Sequence, residues 1–423
     1  MSIVYLTEAV EFGASEVQLS ATMSRAAASG HDVSLLCPRS QGLQRWLSVL
    51  DRRGLGRVIR CVPRRRWSLV GWSRTAYELF AHADLVHFHL DSPMAAEVPL
   101  SLTCRTRTPF LVTFASVPPG LKELPSRTLA TYAEHLRRAA RIFTSSRAAS
   151  RRLVNQFGLH PDFLQVNRPG ILAEMFPARA AREDLRQRLG LAPGELLVAV
   201  PGRIDQHSRH HDLLPLLERL ESNYPSTRVL LLGDGPARPR LLDAIQRAGV
   251  AGRVVHLGAR ADLPEILSAC DVGVIPQSGE PLPMGAVECL AAGLPLVTPW
   301  SEEACEVIED GTNGFLSLPT NPDALCWSVE KILLMSDTER HRFGEHSRDV
   351  ATEQFDLHDN LDRLMHVYRE QTSVRPSEPD LDWAVPDTLP DDWLDDVDEP
   401  TRPSEDLEPP WNESDRSSPP SAG

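Results

Sequence analysis

Glu280 and Glu288 stand eight positions apart, between an apolar strand-like run and a helix that stops at Gly293. Upstream, Asp271-Val-Gly-Val-Ile-Pro276 reads as a short buried parallel strand, apolar and closed by proline. Pro283 suits the first helical position, where its missing N–H costs little, and Gly293 suits the stop. Glu280 therefore falls in the loop, and Glu288 about two turns inside the helix, facing back toward that loop. A helix N-terminus offers N–H groups without intrahelical acceptors and the positive end of a dipole, a seat for phosphate. Carboxylates beside such a seat repel phosphate oxygens but accept hydrogen bonds from sugar hydroxyls. The arrangement predicts a ligand in which a sugar is joined to a phosphate.

Other residues extend this set. Gly202-Arg203 follows the strand-like Leu196–Val200, and Arg209 comes six residues later, ahead of Asp212-Leu213-Leu214. Two cations at a strand end can neutralise a diphosphate leaving group, each contact contributing on the order of a few kcal/mol in a desolvated site. Gly233-Asp-Gly-Pro236 makes a tight turn in which Gly233 and Gly235 let backbone approach a nucleotide base or ribose, and Gly13 does the same for phosphates from the first loop. Each has a bland counterpart. Glu280 decorates a loop, Glu288 a solvated helix face, Arg203 pairs with Asp205, and the two glycines punctuate a turn. Glu306, in a turn that feeds a short strand, contacts either a ligand or that turn. His87 and His89 alternate along a strand-like run and read as core or cleft lining rather than as catalysts.

The elements that must position these groups alternate along the chain. Strand-like runs fall at Ile3–Leu6, Val33–Leu36, Leu85–Phe88, Phe110–Thr113 and Ile142–Thr144, with helical stretches between them. A second series comprises Leu196–Val200, Val229–Leu232, Val254–Leu257, Val272–Ile275 and Leu294–Val297. Strands separated by helices predict parallel sheets with crossover helices, and two such series predict two Rossmann-like, doubly wound α/β domains. Ligands bind beyond the carboxyl ends of such strands, here in the cleft between the domains. The expected division is a first Rossmann-like domain over 1–172, a second over 173–352, a closing helix over 353–371 and a tail over 372–423.

With 423 residues the chain is long enough for two domains, and its 42% hydrophobic content includes no run long enough to span a bilayer. The absence of a basic leader before the first strand-like run, and the seven scattered cysteines, predict a cytoplasmic protein whose cysteines act as small hydrophobes. No cofactor and no metal are expected. The net charge of −14 is misleading until divided: 15 acids against three arginines after residue 370 carry −12 of it. That stretch, with ten prolines, cannot bury enough apolar area to offset chain entropy and is expected to be a disordered acidic tail. Between Arg45 and Arg74 nine arginines crowd one region, interleaved with Trp46, Trp67 and Trp72. A solvated surface partly neutralised by the tail is the first reading, and peripheral contact with the anionic inner face of a membrane the second. Nucleic acid is not an expected partner.

Taken in order, Gly202-Arg203…Arg209…Asp212-Leu-Leu, Gly233-Asp-Gly-Pro, the spaced acids followed by Ala291-Ala-Gly-Leu-Pro-Leu-Val297, and Glu306-Val-Ile-Glu-Asp-Gly-Thr-Asn-Gly-Phe-Leu316 resemble the retaining glycosyltransferases of the GT-B fold, group 1 (family 4). The resemblance runs from about Ile3 to Tyr368. It implies a metal-independent enzyme that moves a sugar from a nucleotide-diphosphate sugar donor to a sugar, lipid or small-molecule acceptor with retention. By position, Glu280 contacts the donor sugar, Glu288 the ribose, Arg203 and Arg209 the diphosphate, and Gly13 approaches it from the first domain; Leu282 and Met284 complete the donor site. The chain departs from the family pattern in places. Arg209-His210 replaces a lysine–glycine pair after one inserted residue, Pro283 replaces a glycine, Phe114-Ala115-Ser116 lacks the usual histidine, Gly13-Ala14 replaces a glycine pair, and Leu172 replaces an aspartate. The alternative is a non-catalytic GT-B-like scaffold acting through the tail or the Arg/Trp stretch.

Overall fold

The computed structural model describes residues 1–61, 71–93, 97–118, 126–177, 186–187, 192, 194–277 and 282–372. Glu280, Trp67 and the expected tail from 373 onward lie outside the described residues.

The first domain runs β1 (Ser2–Thr7), α1 (Ala14–Ala28), β2 (Asp32–Pro38), α2 (Gln44–Arg52), β3 (Arg57–Cys61), α3 (Gly71–His82), β4 (Leu85–Leu90), α4 (Glu97–Thr106), β5 (Phe110–Phe114), α5 (Ser126–Leu136), β6 (Arg141–Thr144), α6 (Arg147–Phe157) and β7 (Leu164–Val166). Among the described residues its strands form one parallel sheet in the order β3-β2-β1-β4-β5-β6-β7. β1 and β4 lie in its middle and are almost wholly apolar because helices cover both faces. Two of these strands were not legible in the sequence. In β3 the apolar pair Val58-Ile59 sits between arginines, and β7 is three half-buried residues at the sheet edge.

The second domain runs β8 (Leu196–Pro201), α7 (Leu214–Asn223), β9 (Thr227–Leu232), α8 (Arg238–Arg247), β10 (Val254–His256), α9 (Leu263–Ser268), β11 (Val272–Val274), α10 (Met284–Ala291), β12 (Leu296–Pro299), β13 (Gly314–Ser317), α11 (Pro322–Leu333) and α12 (Asp337–Phe355). Its parallel sheet has the order β10-β9-β8-β11-β12-β13. Both sheets reverse strand order beside their first strand, and this switch point opens a crevice for ligands.

The last helix, α13 (Leu357–Thr372), returns to the first domain. Its Leu364, Met365, Val367 and Tyr368 pack into the cluster built on Ile3, Tyr5 and Leu19. Asp356 breaks it from α12 and bridges Ile171 of the crossover, where Gly170 is required because a Cβ would meet the Leu357 Cα at 2.5 Å. Each domain is thereby tied to the other twice, by the crossover and by α13.

Two sequence expectations change here. Trp46 is buried on the inner face of α2 and donates its indole N–H to Ser20 Oγ at 2.7 Å, so it serves the core while Arg45, Arg52 and Arg53 face solvent. Cys37, Cys270, Cys289 and Cys326 are buried, as small hydrophobes should be, but Cys305 is exposed. Among the described residues no helix is long and apolar enough to cross a membrane.

Candidate active site

A cavity of about 430 Å³ lies between the carboxyl ends of the two sheets. From the second domain it is walled by the end of β8 (Pro201, Gly202, Arg203), the following loop (Asp205, Ser208, His210) and the start of α10. From the first domain come the start of α1, the ends of β4 and β5, and Asn167 and Arg168 of the crossover.

Close packing brings α10 to this wall. Gly273 leaves room for the Cys289 side chain, whose Sγ would be 2.6 Å from an added Cβ, and Gly285 fits against the Pro201 carbonyl, whose oxygen would be only 2.9 Å from an added Cβ. Pro283 is the residue before the first turn (φ −60°, ψ 141°) rather than the first helical residue, and Gly293 stops the helix at φ 71°. Glu288 is therefore a little over one turn inside, not two, and this brings it to the cavity wall. Burial raises its carboxyl pKa above the usual range. Leu282 and Met284 line the same cavity. The first N–H groups of α10 have no intrahelical acceptor, and Pro283, Met284 and Gly285 carry that helix end onto the cavity surface.

Arg203 reaches the cavity mouth, 54% exposed, and pairs with Glu11 of the opposite domain at 2.9 Å. Arg209 does not join it. Its backbone is left-handed (φ 55°), its Nε donates to Asp212 Oδ2 at 2.8 Å, and it is not among the cavity-lining residues. The turn places the next residue inward instead: His210 is 3% exposed and lines the cavity. Asp205 shapes this loop by accepting the N–H groups of His207 and Ser208 at 2.8 and 2.9 Å. His210 was not singled out because a histidine beside a histidine, after an arginine, carries no period; the inserted residue was the signal available.

Gly233 and Gly235 lie outside the cavity lining too. A Cβ on Gly233 would sit 2.0 Å from the Gly202 carbonyl oxygen, and one on Gly235 2.2 Å from that of Ile204. They are glycines because this turn packs directly on the loop that carries Arg203, with Ile204 N–H donating to the Asp234 carbonyl at 3.0 Å. Gly13 precedes α1 in extended backbone and gives its N–H to Glu16 Oε2 at 2.9 Å, while Ala14 and Ser15 line the cavity. Burial, and then the charge of Asp91, push the Glu16 carboxyl up to about 7.

On the first-domain wall, His87 is core: its ring nitrogens lie 2.5 Å from Tyr368 Oη and 2.8 Å from Thr113 Oγ1. His89 lines the cavity, its Nε2 has no hydrogen-bond partner among the described residues, and burial lowers its pKa to about 3. Below the cavity Glu306 crosses between the domains. It accepts the N–H groups of Arg147 and Ala148, at 3.1 and 2.7 Å, and pairs with Arg168 at 2.7 Å. Arg152 pairs with Glu302 and Glu303 alongside it. Among the described residues no group of three or more His, Cys, Asp or Glu side chains is placed to hold a metal ion.

Sequence profiles place this architecture. That of the glycosyl transferases group 1 matches residues 181–350, and that of Glycosyltransferase Family 4 matches residues 15–174. A D-inositol 3-phosphate glycosyltransferase of Xylanimonas cellulosilytica is 30% identical over 314 residues, covering 70% of this chain and 73% of that protein. The chain belongs to the group 1 glycosyltransferases. Among further relatives of this group 1 chain, an alpha-D-kanosaminyltransferase of Streptomyces kanamyceticus is 29% identical over 194 residues, 45% of this chain. The chain spans about half the length of the first curated relatives it matches, 50% for that protein. In fold, HepE of Anabaena, solved in complex with UDP, superposes with a TM-score of 0.74 at 21% identity, covering 88% of this chain and all of HepE. The two facing Rossmann-like domains of this group 1 glycosyltransferase are the GT-B arrangement.

Proposed function

We propose that this protein transfers a sugar from a nucleotide-diphosphate sugar to an acceptor, with retention at the anomeric carbon and without a metal. The observation that carries the proposal is the meeting of Arg203, Glu288 and the start of α10 on one cavity wall at the carboxyl ends of β8 and β11. A diphosphate set against the α10 N-terminus meets positive potential from the helix and from Arg203, which would leave Glu11 for it. That potential stabilises the charge that develops as the glycosidic bond to phosphate breaks, the part a metal plays elsewhere. Glu288, set back one turn on the cavity wall, would accept hydrogen bonds from ribose hydroxyls, and Leu282 and Met284, which line the same cavity, would give the donor an apolar boundary. Glu280 is assigned to the donor sugar by its position in the motif. HepE supports the donor class by its crystallisation with UDP and with UDP-glucose. The first-domain wall is assigned to the acceptor.

The test is donor hydrolysis and transfer with UDP-, GDP- and ADP-sugars, comparing wild type with Glu280→Gln. Turnover in wild type that the substitution abolishes, persists in a chelator and yields the donor's anomer is expected. Absence of both turnover and donor binding would instead favour a non-catalytic GT-B-like scaffold.

A further inference from the structure

The loop after β8 holds a buried imidazole whose tautomer can be read from its partners. Ser208 Oγ receives the Asp205 N–H at 3.0 Å and gives its own proton to the Asp205 carbonyl at 2.8 Å. When that proton is given to the Asp205 carbonyl, the 2.7 Å contact between Ser208 Oγ and His210 Nδ1 has Nδ1–H donating. The other nitrogen, Nε2, has no hydrogen-bond partner among the described residues and belongs to a side chain on the cavity wall that also holds Arg203 and the start of α10. In the neutral ring Nε2 then carries the lone pair, on an atom that is itself buried at the cavity wall. A lone pair facing a phosphate oxygen is repulsive, and only the imidazolium turns Nε2 into a donor.

We infer that His210 is the second cationic contact of the donor diphosphate, and that it makes this contact by taking up a proton, so that nucleotide-sugar binding is coupled to proton uptake. The inference rests on the donor-site reading above and deepens it. Arginine or lysine here would carry fixed charge, but Arg209 is turned onto Asp212, so the inward cation at this turn is titratable. Before donor arrives, burial holds the His210 pKa down, to about 4; Asp205 draws it up and His211 pushes it down. The other titratable or charged groups that share its cavity are Arg203 and Glu288 on the same wall, with His89, Asp91 and Arg168 across the cleft. Behind the loop α7, α8 and α11 present the apolar cluster of Leu216, Leu241 and Leu325. A diphosphate at the α10 N-terminus adds negative charge on the open side and raises the pKa. The proton comes from solvent, and binds at Nε2. Between the free and bound pKa values the donor's dissociation constant should rise about tenfold per pH unit.

Titration calorimetry of the full chain with UDP-, GDP- and ADP-glucose, in two buffers of different ionisation enthalpy from about pH 6 to about pH 8, reads the coupling directly. Sugar nucleotides have no phosphate group that titrates there, so any proton taken up goes to protein. Expected are a buffer-dependent enthalpy and a pH-dependent affinity in wild type, both lost in His210→Gln. Nitrogen NMR of the wild-type imidazole should show the Nδ1–H tautomer without donor and the imidazolium with it, a readout independent of any variant's folding. Binding without proton uptake, or uptake that survives in His210→Gln, overturns the inference and leaves the donor site standing. No binding of any of the three donors overturns both.

Discussion

Replacing Glu306 by alanine removes the carboxylate that joins the two domains beneath the cavity. It accepts three hydrogen bonds, from two amides at the N-terminus of α6 and from Arg168. Hydrogen bonds to a charged group contribute about 1.5–3 kcal/mol each, and they are not additive here because Arg168 shares the carboxylate with the helix end. Arg168 is only 10% exposed on its side chain; losing its partner is the strongly unfavourable half of breaking a buried pair, about 3–5 kcal/mol. It keeps its bond to the Ser145 carbonyl at 3.2 Å and its place over the Phe355 ring, which lowers that cost. The expected loss is about 3 kcal/mol for Glu306→Ala. It is about 1–2 kcal/mol for Glu306→Gln, whose amide oxygen can still accept one α6 amide but whose NH₂ faces a guanidinium. Burial alone would raise the Glu306 pKa, but Arg168 and the two amides outweigh it and the net shift is downward. A lowered carboxylate pKa stabilises the fold above the unfolded value of about 4.3 and is lost as pH falls through the folded one, so wild type and Glu306→Gln should converge in acid. Urea unfolding measures the loss, and hydrogen exchange at the Arg147 and Ala148 amides localises it. An alanine variant within about 0.5 kcal/mol of wild type, with those amides still protected, would refute the reasoning.

Gly235→Ala should cost about 2–3 kcal/mol in urea unfolding, since a Cβ 2.2 Å from the Ile204 carbonyl oxygen breaks the two backbone bonds that hold the Arg203 loop; a loss below about 0.5 kcal/mol contradicts this. Arg203→Ala should weaken nucleotide-sugar binding by about tenfold or more, whereas Arg209→Ala should change it by less than about twofold; equal losses in calorimetry would return Arg209 to the site. Glu16 is an acid with a raised pKa, so its contribution is a penalty that is absent below the unfolded pKa of about 4.3 and complete above about 7. Glu16→Gln, which can still accept the Gly13 N–H, should therefore gain stability over wild type at about pH 8 and match it at about pH 4 in thermal melts. A constant difference across that range removes Glu16 as the titrating group.

Much of the architecture could be read from the chain because parallel strands covered on both faces are short continuous apolar runs, and both series of them stood out against helical periodicity. The strands that escaped, β3 and β7, are edges: in β3 arginines flank the apolar pair, and β7 is three half-buried residues. The stop of α10 at Gly293 was a local matter of glycine geometry and needed no tertiary context, while its start fell one residue after the Pro283 that marked it. The family motifs were local too, being defined by order and spacing.

Which side chain at a motif faces the cavity was decided elsewhere. Arg209 and His210 are neighbours, and only the left-handed turn at Arg209, with Asp212 waiting for its guanidinium, sends the permanent cation out and the imidazole in. Gly233 and Gly235 are spaced like ligand contacts, yet they exist because another loop's carbonyls lie 2.0 and 2.2 Å from where a Cβ would be. Glu306 read as an even choice between turn and ligand; its carboxylate is held by the α6 N-terminus and Arg168, which come to it from the other domain. Sequence determines which groups a chain carries and which backbone shapes it favours locally. Their partners across long separations, and so their charge and direction, follow from packing that no short window of residues contains.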